Sequence, residues 1–339
     1  MIEHHPIIIK LRRKESVNIL FTSPGRRVEL IRIFRENWVE GSVFVGTDSD
    51  ETAPALYFLD KSYRHPYRID EDYHELVLSI CAENSVKVII PLIDPELPVI
   101  SKYREKFERE GIFPMVSSYE KIKIAMDKWE TFKFAKNLSM KVPKTILGSD
   151  VGSLKSMNFP VLVKPRYGSA SKGIMKFEKP ESLLCFKDLL NENHIIQEFI
   201  EGYEVTVDIF GTEEGECIQA VQRRRLKVRG GEVERGVTQK DPRINDIVEK
   251  FTAHYKPRGV INVQFMVSKD GVFLMEINPR FGGGYPLSHH AGANFPKLLL
   301  KYIRGEKLER MGMNYVENFY MFRFDQAVYV SEGEKVKLL

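Results

Sequence analysis

Two apolar runs end in side chains that apolar strands do not ordinarily carry. Asn262-Val263-Gln264-Phe265 and, after the turn Lys269-Asp270-Gly271, Phe273-Leu274-Met275-Glu276-Ile277-Asn278-Pro279-Arg280 have the pattern of two neighbouring strands of a hairpin. A period of two puts Asn262 and Gln264 on one face and Glu276 and Asn278 on one face, so four oxygen-bearing side chains can converge across the pair. Hard oxygen ligands of this kind suit Mg²⁺ held jointly with nucleotide phosphates. Arg280 follows at once and is suited to neutralising charge on a transferring phosphoryl group. A solvated sheet face is the competing reading, and it is hard to square with Glu276 and Asn278 at the end of so apolar a strand.

Three further segments carry charge in useful places. Lys164 ends the apolar run from Val161 and leads into Pro165-Arg166-Tyr167-Gly168-Ser169-Ala170-Ser171-Lys172-Gly173, where glycines, serines and cations supply N-H donors and charge for phosphate oxygens. A basic hairpin turn has the same composition. The run Ile195-Ile196-Gln197-Glu198-Phe199-Ile200 can present main-chain groups to an adenine edge, with Glu204 placed to accept from ribose hydroxyls; the alternative is a strand with acidic surface positions. The basic run Gln222 to Arg229 includes Arg225 and Lys227, as a charged strand or as an approach to an anion.

The elements that must hold these groups change character along the chain. Val17 to Phe21 reads as a strand, Thr22 to Gly25 as a turn, and Val28, Leu30, Ile31, Ile33 and Phe34 as a helix. Strands over 42–47, ending in Asp48, and over 86–90, ending in Pro91 after a helix over 73–83, continue the alternation and imply a parallel sheet. The turn from Ser23 to Arg27 lies where such sheets bind ligands, but it lacks Gly-x-Gly-x-x-Gly. Arg26 and Arg27 fit a solvated helix start equally well, and Asp48 is either a turn residue or a contact for a ribose or amine. A single amphipathic helix is expected over 117–139, with Lys141 to Thr145 as a linker. Beyond it, strands at 161–164, 168–177, 195–197, 204–210, 259–267 and 272–277 give a mixed α+β pattern. A helix follows Pro296, and a late strand lies within 318–324.

Composition narrows the class. The chain has 339 residues and a net charge of +4 spread along its length, so nucleic acid is not an expected partner. No run approaches the roughly 20 apolar residues of a membrane span, and the charged opening residues contain no signal-peptide core. A cytoplasmic protein is expected. Three scattered cysteines, Cys81, Cys185 and Cys217, form no zinc pattern and read as reduced thiols.

The ordered set Lys128, Lys164, glycine-rich loop, Gln197-Glu198-Phe199-Ile200, Glu204, Gln264 and Glu276-Ile277-Asn278-Pro279-Arg280 resembles the ATP-grasp superfamily, especially the large subunit of carbamoyl-phosphate synthase and its small stand-alone relatives. The resemblance implies an α/β and α+β chain. A Rossmann-like pre-ATP-grasp domain would occupy 17–116 after an N-terminal extension over 1–16. A two-lobed ATP-grasp domain would follow over 117–305, with its lid lobe about 145–203, and a C-terminal strand and tail over 306–339. It also implies ATP and Mg²⁺, with Mn²⁺ an acceptable substitute. Lys128 and Lys164 would hold phosphates, Gly168, Ser169, Ser171 and Gly173 would close over them, and Glu198 and Ile200 would meet adenine. Glu204 would bind ribose, and Gln264, Glu276 and Asn278 would surround the metal, although many relatives have Glu in place of Gln264. Arg280 would stabilise an acyl phosphate. The spacing around Arg225 and Lys227 is similar to that of biotin carboxylase and suggests that both approach the phosphate or the acid.

The chain carries one grasp unit where full carbamoyl-phosphate synthase has two, and its layout is similar to that of the ligase of pyrrolysine synthesis. The expected activity is therefore an ATP-dependent joining of a small acid to an amine or amino acid, with room for a homodimer. Residues 281–286 would form a flexible wall of the acceptor site, with His289 and His290 nearby or simply part of a helix start. A kinase or carboxylase of the same fold, and a non-catalytic nucleotide-binding regulator, are the alternatives.

Overall fold

The computed structural model describes residues 15–66, 68–168 and 173–332. The first part of the chain alternates strand and helix: β1 (Asn18–Thr22), α1 (Val28–Asn37), β2 (Phe44–Asp48), β3 (Lys61–Arg64), α2 (Tyr73–Glu83), β4 (Val86–Pro91), the short α3 (Leu97–Lys102) and α4 (Arg104–Arg109), and β5 (Phe113–Pro114). All the strand pairs are parallel, in the order β3-β2-β1-β4-β5. Ile19, Leu20 and Phe21 in β1 and Val88, Ile89 and Ile90 in β4 are wholly buried, which is why these strands read as unbroken apolar runs. The strand order reverses between β1 and β4. The crevice beyond their carboxyl ends, where Ser23 and Asp94 lie, is therefore the place this sheet offers a ligand.

One helix was expected over 117–139, and the structure has two, α5 (Tyr119–Met126) and α6 (Lys128–Asn137). Asp127 between them is extended, with φ −114° and ψ 112°, and its carboxylate caps α6 by accepting from Trp129 N at 2.9 Å. The same carboxylate takes the Arg166 guanidinium, with Nε at 3.1 Å from Oδ1. The apolar period runs on through the break because both helices pack on one strand, β14.

A small antiparallel sheet follows: β6 (Thr145–Leu147), β7 (Val161–Pro165), β8 (Met175–Phe177) and β9 (His194–Glu198), in the order β6-β9-β7-β8, with α7 (Pro180–Leu184) beside it. It has its own apolar cluster around Val161, Val163, Leu183 and Ile196. A larger antiparallel sheet is built from β10 (Tyr203–Gly211), β11 (Cys217–Arg229), β12 (Glu232–Gln239), β13 (Gly259–Ser268), β14 (Gly271–Asn278) and β15 (Tyr320–Phe322). Between β12 and β13, α8 (Pro242–Tyr255) lays Ile244, Val248, Phe251 and Tyr255 into the core. After β14 come α9 (Tyr285–His290) and α10 (Phe295–Ile303).

One apolar cluster joins the parallel sheet to these last helices. Phe281 and Tyr285 are wholly buried in it with Phe21 and Phe34, and the Phe281 and Phe34 rings meet edge to face at 5.5 Å. The segment expected to be a flexible wall is therefore anchored at both ends, and only its glycines face the crevice. The three cysteines are free, and no described helix is long and apolar enough to cross a membrane.

Asp127 holds both the helix break and Arg166. Asp127→Ala is expected to lower stability by about 1–3 kcal/mol in urea unfolding, and Asp127→Asn, which keeps a capping oxygen, by less. An unchanged midpoint for Asp127→Ala would show that other contacts hold the break.

Candidate active site

The hairpin of β13 and β14 sets Asn262 directly opposite Asn278 and Gln264 directly opposite Glu276. These four side chains line one wall of a cleft of about 420 Å³. Arg27 and Asp94 come to it from the crevice of the parallel sheet, Arg223, Arg225 and Glu232 from β11 and β12, and Gly282 to Gly284 close it.

Glu276 is the electrostatic centre. Burial pushes its carboxyl above the usual range, Asp94 adds to this, and Lys128, Arg280 and Lys164 oppose it. The two lysines are themselves strained by loss of water. Burial lowers Lys128, and burial with the repulsion of Lys128 brings Lys164 down to about 8. Lys164 Nζ donates to Gln197 Oε1 at 2.7 Å, and Lys128 Nζ donates to the Gly168 carbonyl at 2.7 Å. Arg280 forms a forked pair with Asp94, Nε to Oδ1 at 2.7 Å and Nη2 to Oδ2 at 2.9 Å. Burial alone would lower the Arg280 pKa, but Asp94, Glu276 and Glu232 together outweigh it and the net shift is upward.

The Gln264 amide is best read with its nitrogen donating to Glu204 Oε1 at 3.0 Å and Glu276 Oε2 at 3.2 Å. In this state it ties two carboxylates together; turned over, its oxygen would join that of Asn278 and the Glu276 carboxylate. Among the described residues no group of three or more His, Cys, Asp or Glu could hold a metal ion. One carboxylate with amide oxygens fits a cation that brings phosphate ligands with it.

The remaining expected residues divide between the cleft and its surroundings. Arg225 lines the cleft, donating to Glu204 and to the Gly231 carbonyl. Lys227, expected beside it, pairs instead with Glu234 at 2.9 Å with about half of its side chain exposed. The strand register shifts between Arg225 and Lys227, so period-two spacing does not carry across that step. The Glu198 side chain accepts from Asn158 N at 2.8 Å, within the small sheet, and Ile200 lies in the link from β9 to β10. Gly168 and Gly173 both have positive φ, at 107° and 73°, conformations that favour glycine; Ser169 and Ser171 lie outside the described residues. Asp48 is the last residue of β2, where its carboxylate accepts from Gly25 N and Asp50 N. His290 faces Glu29 on α1 rather than the cleft.

Sequence reasoning missed Asp94, Arg223, Glu232 and a buried polar cluster behind the cleft. Glu96, wholly buried, accepts from Thr22 Oγ1 at 2.6 Å, Ser23 Oγ at 2.5 Å and Tyr73 OH at 2.9 Å. It ties the turn after β4 to the end of β1 and so positions Asp94. The signal was Asp94-Pro95-Glu96 close behind an apolar strand, legible only once β4 is known to neighbour β1.

Comparison with known proteins agrees with this architecture. Residues 191–322 match the family model described as ATP-grasp in the biosynthetic pathway with Ter operon, and residues 19–116 match the PylC-like N-terminal domain. The chain is 27% identical over 230 residues to the carbamoyl phosphate synthase large chain of Thermoanaerobacter sp. (strain X514), covering 61% of this chain and 21% of that protein. It is 24% identical over 286 residues to the carbamoyl-phosphate synthase of Methanobrevibacter smithii, covering 79% and 75%. The chain thus spans about a fifth of the large chain it matches. Among solved structures it is similar to N5-carboxyaminoimidazole synthetase from Staphylococcus aureus complexed with ADP, at TM-score 0.71 and 15% identity, covering 89% of this chain and 81% of that one. It is also similar to the biotin carboxylase domain of Hydrogenobacter thermophilus 2-oxoglutarate carboxylase, solved as a dimer with MgADP and bicarbonate, at 0.71 and 17%, covering 90% and 74%. The chain is thus of ATP-grasp architecture, a PylC-like N-terminal domain followed by an ATP-grasp domain.

Proposed function

We propose that the protein is an ATP-dependent ligase that activates a small carboxylate as an acyl phosphate for attack by an amine. The observation that carries this reading is the facing of Gln264 with Glu276 and Asn262 with Asn278 beside Lys128, Lys164 and Arg280. That set matches a polyphosphate with its metal on one side and a second, anionic reactant on the other. Lys128 and Lys164 hold phosphate oxygens, and Glu204 and the main chain around Ile200 meet the nucleoside. Glu276 and Asn278, with Gln264 turned over, hold Mg²⁺, which when bound neutralises charge developing on the transferring phosphoryl group. Arg280, fixed by Asp94, faces the acid and the oxyanion formed on amine attack. No protein nucleophile is needed, since positioning and charge neutralisation supply the catalysis.

The solved relatives favour one variant of the reading. One is solved in complex with bicarbonate and another is named a biotin carboxylase, so bicarbonate as the acid is the second possibility to assay.

Two measurements test the assignment. ADP release should require both an acid and an amine, and hydroxylamine should trap the acyl group when the acid is present alone. Arg280→Ala is expected to lower kcat by about 10²–10³ while ATP still binds; unchanged turnover would remove Arg280 from the chemistry. Separately, the lowered Lys164 pKa of about 8 fixes a pH dependence. The charged amine binds phosphate, so above pH 8 the free protein must take up a proton to bind ATP. Affinity should therefore fall as pH rises, by at most about tenfold per unit. Lys164→Arg, charged throughout, should bind with little change between pH 7 and about 9.5. A wild-type affinity that is flat over that range would place Lys164 away from the phosphates.

A further inference from the structure

Three of the four arginines lining the cleft are already committed to carboxylates. Arg280 is forked onto Asp94, Arg223 onto Asp208 at 2.6 and 2.9 Å, and Arg225 is bonded to Glu204. Arg27 is different. Its Nε is buried without a partner, and its nearest recorded ion-pair contact, Nη2 to Glu232 Oε1, is 3.8 Å, too long for a hydrogen bond. Burial and the facing charge of Arg280 lower its pKa and outweigh the opposing pull of Glu232, Asp94 and Glu96, none of which hydrogen-bonds its Nε, so a bound anion would relieve this cation.

Glu232 is the complementary half. Its Oε2 accepts from Arg323 Nη1 at 3.2 Å, which leaves Oε1 turned toward Arg27. Burial would raise its pKa, but Arg27, Arg323 and Arg26 outweigh this, so it is an ionised carboxylate. It lies directly on the glycine wall: a Cβ at Gly283 would come within 2.7 Å of its carboxyl carbon and within 2.8 and 2.9 Å of its oxygens. Only glycine permits that approach. The result is a rigid cation and anion side by side, with unused capacity on each, beyond Arg280 from the Glu276 wall.

We infer that this end of the cleft binds the head group of an α-amino acid, its carboxylate on Arg27 and its ammonium on Glu232 Oε1. A simple acid would meet the repulsion of Glu232, and a simple amine would leave Arg27 unpaired; a zwitterion satisfies both and adds no net charge. The assignment rests on the ligase reading above, for which it names the class of one substrate.

The test is calorimetry on the full chain with Mg²⁺ and a non-hydrolysable ATP analogue. The probes are the proteinogenic α-amino acids in pools, followed by the decarboxylated amine and the deaminated acid of whichever binds. The expected result is one amino acid whose affinity drops at least tenfold when either head group is removed. Arg27→Gln and Glu232→Gln should each weaken it at least tenfold, with Arg27→Lys recovering part of the loss, and retained binding of the ATP analogue reports that each variant is folded. No binding from any pool, or equal binding of the amine or acid counterpart, would overturn the inference. ADP release driven by a non-zwitterionic acid and amine would also overturn it while leaving the ligase reading in place. An amino acid that binds as described but drives no ADP release with any acid would instead remove the ligase reading and keep the head-group site.

Discussion

Glu276 is a half-buried carboxylate at the end of an apolar strand, and much of the surrounding structure makes its charge tolerable. An isolated buried charge would cost several kcal/mol, so it persists only where opposite charges stand close by. Lys128, Lys164 and Arg280 provide them, yet each is itself desolvated, and the carboxyl remains pushed up while the lysines remain pushed down. Neither sign is fully compensated by the protein. Under the proposed ligase reading, a metal-bound polyphosphate, which brings both signs, is the ligand such a cluster would complement.

That arrangement depends on register. The ladder between β13 and β14 holds one extra residue, for Phe265 faces Leu274 while its neighbour Gln264 faces Glu276, and it is this irregularity at Met275 that sets the polar pairs opposite each other. On β13 the alternation is regular, with Val263, Phe265 and Val267 buried between the polar positions, so the extra residue falls on β14. The chain then leaves β14 through Arg280 into Phe281, whose ring is lodged against Phe34 of the parallel sheet. Arg280 is thus fixed from behind by an apolar plug and from in front by Asp94, whose own turn is tied down by Glu96. Two sheets with separate folding patterns meet at a guanidinium that neither could orient alone.

These facts explain what the sequence could and could not disclose. The shared faces of Asn262 with Gln264 and of Glu276 with Asn278 were legible because period two is a local property, but their direct facing was not, because it needs an extra residue, Met275, that a regular hairpin from the Lys269-Asp270 turn would not contain. The parallel sheet was legible from its unbroken apolar strands, whereas β3, Lys61-Ser62-Tyr63-Arg64, has no such run and the apolar stretch around β5 is interrupted by Pro114. Asp94, Glu96 and Arg27 were not separable from ordinary turn residues, because their meaning depends on β1 lying beside β4, a long-range fact. Lys227 misled because a register shift intervenes after Arg225. The break at Asp127 was hidden because α5 and α6 share a packing surface and so keep one apolar period.

That break also links the two lobes of the site. Lys128 opens α6 because Asp127 caps it, and the same carboxylate holds Arg166 at the root of the glycine loop. Lys128 N donates to the Arg166 carbonyl at 3.1 Å, and its Nζ to the Gly168 carbonyl at 2.7 Å. Asp127 and Lys128 thus tie the exit of β7 to the start of α6 by a carboxylate, a main-chain N-H and an ammonium at once, so no one of these contacts carries the junction alone.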